Sequence, residues 1–150
     1  MKKIGIIFGI VGLVVVVCLG AYLILAQPKL EANLLGTGLD KKVVVITLGN
    51  AGIQEIRLLD ILINNSNTPK NVKVQVNESG KGFALSESLA DEGYIFKNYD
   101  EINIETDTAE KDINYDSLYG LWIKGDEEIN SVTIQYKYLG KEFEKTVTIF

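Results

Sequence analysis

Val132-Thr133-Ile134-Gln135-Tyr136-Lys137-Tyr138 puts an apolar or aromatic side chain at every second position and a polar one between. A strand turns successive side chains to opposite faces, so this spacing predicts a β-strand with one face on a core and the other in water. A short turn at Leu139-Gly140-Lys141 follows, and Phe143, Val147 and Ile149 then keep the apolar parity. The pair reads as a closing β-hairpin. Lys145 falls on that apolar parity, which predicts an edge position or a bulge.

The same period recurs upstream. Val72, Val74 and Val76 alternate with Lys73, Gln75 and Asn77. Lys42 to Leu48 is a continuous apolar run of strand length, consistent with a strand covered on both faces, and Gly49-Asn50-Ala51-Gly52 is a strong turn signal. Ile53 to Ile63 does not alternate strictly, and Leu58, Leu59, Ile61 and Leu62 would also serve a helix. Its β-branched content and the loop from Asn64 to Pro69 favour a strand. Ser79-Gly80-Lys81-Gly82 reads as a turn, Ser86 to Asp91 as one helical turn, and Tyr94 to Phe96 and Ile102 to Ile104 as short strands. Thr106 to Ser117 is polar and loop-like. Leu118 to Lys124 returns to strand, with Tyr119, Leu121 and Ile123 on one face and Trp122 on the other.

Seven to nine short strands without alternating helices predict an all-β domain over residues 30–150. An antiparallel β-sandwich of immunoglobulin-like topology is the favoured arrangement, with a small closed barrel as the alternative. The Cys-Trp-Cys hallmark of antibody domains is absent, so the expectation rests on strand number and spacing. Trp122, Tyr119, Tyr136 and Tyr138 are expected in the core rather than in a ligand patch.

Ahead of this domain, Ile4 to Ala26 carries no charge and is dominated by Ile, Val, Leu and Gly. About 20 such residues in a helix cross the ~30 Å hydrocarbon core of a bilayer, and only a helix satisfies every backbone amide there. The run is too long for a signal-peptide core, and a cut after Ala26 would place Ile24 where a small residue is wanted. Cys18 follows Val15-Val16-Val17 with no small residue beside it, which fits lipoprotein processing poorly. The sequence therefore predicts an uncleaved signal-anchor helix over 4–26. Lys2 and Lys3 on the near flank, against Lys29 on the other, place residues 1–3 in the cytoplasm and the C-terminal domain outside. Residues 27–29 form a short linker reaching at most about 14 Å, so the domain sits close to the membrane. Within the anchor, Gly5, Gly9 and Gly12 share a helix face and are candidates for packing against a second membrane helix.

The chain has no histidine, and its single cysteine is Cys18. That removes Ser-His-Asp and Cys-His nucleophiles, the usual zinc sites and thiol redox pairs, and it leaves the outer domain without a disulfide. No phosphate-binding glycine loop and no Ser-x-x-Lys pair occur, so neither catalytic residues nor a cofactor is expected. A composition rich in Ile, Lys and Asn suggests a prokaryotic surface protein.

Charge is the most informative feature of the outer domain. Leu85 to Glu128 carries thirteen acidic residues against Lys97, Lys111 and Lys124. The favoured reading is a solvated acidic face. Others are a surface for a basic protein or envelope polymer, and a weak calcium site drawn from Asp100, Glu105, Asp107 and Asp112. The same charge disfavours nucleic acid. The function expected is a single-pass, membrane-anchored extracytoplasmic binding or accessory module without catalysis. Its partners would be the bilayer through 4–26 and another membrane protein or basic envelope component. A small envelope hydrolase using carboxylates is the alternative.

Overall fold

The computed structural model describes residues 2–78, 80–87, 93–109 and 118–150, with side chains in the first helix described from Gly9 onward. Chain order is α1 (Lys2–Leu25), β1 (Leu30–Thr37), β2 (Val43–Asn50), β3 (Ile56–Ile63), β4 (Asn71–Val76), β5 (Ile95–Lys97), a 3-10 turn (Tyr99–Glu101), β6 (Asn103–Ile104), β7 (Tyr119–Lys124), β8 (Ser131–Tyr138) and β9 (Lys141–Thr148). The strands form two antiparallel sheets, of order β1-β2-β7-β4-β5 and β6-β3-β8-β9. Both sheets are open, with β1, β5, β6 and β9 at their edges. The molecule is an antiparallel two-sheet fold and not a closed barrel.

The alternating residues land where their period requires. Val132, Ile134, Tyr136 and Tyr138 of β8 are buried between the sheets, together with Val44, Ile46 and Leu48 of β2 and Tyr119, Leu121 and Ile123 of β7. Tyr136 stacks on Phe143 of β9 at 5.7 Å between ring centroids. Leu139 (φ 48°) and Gly140 (φ 77°) form a two-residue turn with both central residues in the left-handed region, which matches the twist of a hairpin. Lys145 is exposed on β9, an edge strand in unbroken register with β8.

Irregular alternation at Ile53–Ile63 has a local cause. The β3–β8 register skips between Leu58, opposite Tyr136, and Asp60, opposite Gln135. Leu59 is thus an extra, bulged residue, and a bulge shifts the parity of everything after it. Ile56 and Leu58 are buried before it, Ile61 and Ile63 after it, and Leu59 itself is exposed.

β2 is covered on both faces, as its unbroken apolar run predicts. Its second cover comes from the segment around Phe83, Ala84 and Leu85, which lies across the outer face of the five-stranded sheet. Gln75 (2% exposed) pairs with the Ala84 backbone through two hydrogen bonds, its Nε2 donating to the carbonyl (2.8 Å) and its Oε1 accepting the amide (2.7 Å). Trp122 Nε1 donates to the Leu85 carbonyl (2.9 Å), and the Phe83 ring lies so close over Gly120 that a Cβ there would come within 2.4 Å of it. Farther along, Thr108 and Ala109 cover Gly49 in the same way. All four aromatic residues in question are core, with Trp122 in this outer layer.

The sandwich has two distinct ends. At the helix end, α1 stops at Leu25, the Lys29 carbonyl accepts the Ala51 amide (3.1 Å), and β1 starts at Leu30 opposite Asn50. Lys141, at the start of β9, places Nζ 4.9 Å from the centroid of the Tyr22 ring. At the opposite end, the loops after β1, β3 and β7 meet. There Asn64 Nδ2 donates to the Glu128 carbonyl (2.8 Å), and Asn64 Oδ1 accepts the Asn130 amide (2.7 Å).

Among the described residues, no helix is long and apolar enough to cross a membrane. The described side chains of α1 run from Gly9 to Leu25, seventeen residues, so among them there is no span of the length expected over 4–26. Most of the helical turn expected at Ser86–Asp91 and most of the loop expected at Thr106–Ser117 lie outside the described residues.

Candidate functional site

Strand pairing gathers carboxylates from four separate loops at the helix end. Ile56 pairs with Ile104, which brings Glu55 beside Glu105. Val76 pairs with Tyr119, which places Glu78 at the same edge. Glu55, Glu78, Glu101 and Glu105, with Lys97, Asn103 and Tyr119, line an open groove of about 270 Å³. Asn103 Nδ2 donates to Glu55 (2.9 Å), and Asn98 Nδ2 donates to Glu101 (2.8 Å). Lys97 offsets part of the charge.

Tyr119 forms the floor. Burial pushes its phenol above 10, and the carboxylates of Glu105, Glu55 and Glu78 push the same way, since each disfavours a second negative charge. A hydrogen bond from the Glu105 backbone opposes them. Chemically, such a groove suits a cationic group, an ammonium or guanidinium, held by several carboxylates at once.

The acidic stretch from Leu85 to Glu128 does not make one patch. β7 runs the length of the sandwich and separates residues 100–107 at the helix end from 126–128 at the other. The latter are engaged in holding loops together: Asp126 binds Lys70 (3.0 Å), Glu127 accepts from Asn67 (2.8 Å), and Glu128 binds Lys41 (3.2 Å). Exposed pairs of this kind contribute ~0–1 kcal/mol each.

Of the calcium candidates, Glu105 lines the groove. Asp100 and Asp107 are exposed and do not line it, and Asp112 lies outside the described residues. No group of three or more acidic or cysteine side chains able to hold a metal ion occurs among the described residues. Glu55 and Glu78 have no sequence signal, because they lie outside the acidic stretch from Leu85 to Glu128. Only the strand register adds them.

Gly9 and Gly12 of α1 face open space, with nothing within 4 Å of an added Cβ, and the Gly5 side-chain position lies outside the described set. Two further depressions lie elsewhere on the surface. One, of about 310 Å³, is lined by Leu59, Gln135, Glu142, Phe143 and Glu144. The other, of about 150 Å³, is apolar and lined by Leu35, Gly36, Val45, Phe83 and Leu85. No family model, no curated protein and no solved structure matches this chain.

Proposed function

We propose that the chain is a single-pass membrane protein, N-terminus inside, whose immunoglobulin-like β-sandwich serves outside as a binding or accessory module without catalysis. The observation that carries this reading is the surface of α1. From Ile10 to Leu25 its large apolar side chains are exposed, Leu13, Val16, Val17, Leu23 and Ile24 each by more than 60%. A helix lying on a water-soluble fold shows one apolar and one polar face, whereas this one is apolar all round and stands outside the core. Leaving that surface in water forfeits ~25 cal/mol per Å², which lipid restores. The immunoglobulin-like assignment is supported by β1-β2-β7-β4 facing β3-β8-β9, the strand arrangement of seven-stranded immunoglobulin sandwiches. The acidic groove is the surface offered to a basic partner in the membrane or envelope.

Alkaline carbonate washing of membranes should leave the protein in the pellet, and a reporter active only outside the cytoplasm should be active when fused after Phe150. A mature chain beginning at Gln27, or release by carbonate, would remove the anchor reading.

A further inference from the structure

We infer that the loop joining β2 to β3 is a lipid-contacting element, and that it seats Ile53 in the headgroup region of the bilayer that holds α1. This rests on the anchor reading above. The loop stands beside the point where the chain leaves the helix, since the Ala51 amide donates to the Lys29 carbonyl at 3.1 Å. Four residues separate the end of α1 from the start of β1, so Lys29, to which the loop is bonded, cannot lie more than about 14 Å from the helix end even with that segment extended.

The loop is also held rigid. Asn50, with no exposed surface, accepts the Gly52 amide on Oδ1 (2.8 Å) and donates from Nδ2 to the Gln54 carbonyl (2.8 Å). The Ile53 amide donates to Tyr138 Oη (3.1 Å), and Gly52 is pressed against the Tyr138 ring. With its backbone fixed at four points, the loop nonetheless leaves the Ile53 side chain 66% exposed. Its surroundings are those of a membrane interface: Lys29 and Lys141 with long aliphatic stems, and the Tyr22 ring beneath the Lys141 ammonium. The carboxylates of Glu55, Glu78, Glu101 and Glu105 at the same end make zwitterionic lipid the fitting partner rather than anionic lipid.

A single exposed isoleucine is ordinary on a protein surface. Leu39 supplies the comparison, because it is fully exposed in the loop after β1 at the opposite end, away from the helix. The test uses the full chain reconstituted in phosphatidylcholine vesicles with and without brominated phosphatidylcholine, which quenches only tryptophan in contact with lipid. Ile53→Trp should lose most of its added emission to the brominated lipid. Leu39→Trp should keep its emission, and the wild type, whose Trp122 is buried, supplies the background. Ile53→Cys labelled with a polarity-sensitive dye in a Cys18→Ala chain gives the same readout without a bulky ring. Emission from Ile53→Trp that brominated lipid leaves untouched, in protein that floats with the vesicles, would overturn this inference and leave the anchor standing. Quenching confined to vesicles containing phosphatidylglycerol would overturn it too, by assigning the contact to the lysines. Protein that fails to float would remove the anchor and this inference together.

Discussion

Gly52 and Tyr138 are in contact so close that a Cβ on the glycine would lie 2.6 Å from the tyrosine hydroxyl and 2.7 Å from two ring carbons. The constraint is one of space and not of backbone angle, because Gly52 is not among the positive-φ residues. Gly52→Ala should therefore destabilise the fold by about 1–3 kcal/mol through overpacking. Tyr138→Phe removes the bond to the Ile53 amide and should cost ~1 kcal/mol. Adding Gly52→Ala to Tyr138→Phe should cost nearly as much again, since the ring carbons remain. Thermal unfolding of the three variants checks this, and a double variant no worse than Tyr138→Phe would contradict it.

Asn50 is buried with every hydrogen-bonding atom of its side chain used: Nδ2 donates to the Gln54 and Ile104 carbonyls, and Oδ1 accepts the Gly52 amide. Asn50→Leu keeps the volume but strands three backbone groups. At ~1–3 kcal/mol per stranded group, partly relieved by water, the net loss should be about 2–4 kcal/mol. A lower urea midpoint with an unchanged slope is the expected signature.

Alkaline pH should unfold the domain. Burial raises the phenols of Tyr119, Tyr99 and Tyr136 above their ordinary 10.0; carboxylates add to this at Tyr119, and Asp60 and Asp100 do so at Tyr99. Below pH ~9 both folded and unfolded chains hold these protons, so the three groups exert no pull there. Above pH ~10 the unfolded chain loses protons that the folded one keeps, and stability falls as pH rises. Tyrosinate absorbance should appear together with loss of the β-sheet circular dichroism signal, and Tyr119→Phe should flatten the decline.

Calcium should behave as salt. The candidates Asp100 and Asp107 stand apart from the groove that Glu105 lines. Millimolar calcium chloride and sodium chloride of equal ionic strength should therefore shift the unfolding temperature alike, by screening like charges. Specific binding at a hundredfold excess over the dissociation constant would instead add about 2.7 kcal/mol, several degrees for a domain of this size. A calcium-specific shift abolished by Glu105→Gln would place a cation in the groove.

The strands were legible in the sequence wherever period two ran unbroken: β4, β8 and β9 lie within a residue or two of where Val72–Val76, Val132–Tyr138 and the Leu139-Gly140 turn put them. β3 was ambiguous because the Leu59 bulge moves the buried parity from even to odd positions, and a one-residue slip in a strand resembles the drift of a helix. The cover over Trp122 and Gly120 left no periodic trace, since Phe83, Ala84 and Leu85 act through one ring and a few backbone bonds. The acidic groove was illegible for another reason. Members of one acidic stretch such as Glu105 and Asp126 sit at opposite ends of the sandwich, while Glu55 and Glu105, fifty residues apart, meet through the Ile56–Ile104 pair.

The terminal strands give the fold a mechanical character. β1 starts at the helix end and runs to the opposite end, and β9 starts beside Tyr22 and runs the same way. A pull between α1 and the last residues of β9 therefore draws these two strands in opposite senses along their own length. Antiparallel ladder bonds lie across the strands, so this load shears the β1–β2 and β8–β9 ladders instead of unzipping them. Seven paired positions of β1, from Leu30–Asn50 to Thr37–Val44, share the force together. A domain loaded in this way resists tension between its helix and whatever grips the opposite end, and yields by abrupt rupture instead of gradual peeling.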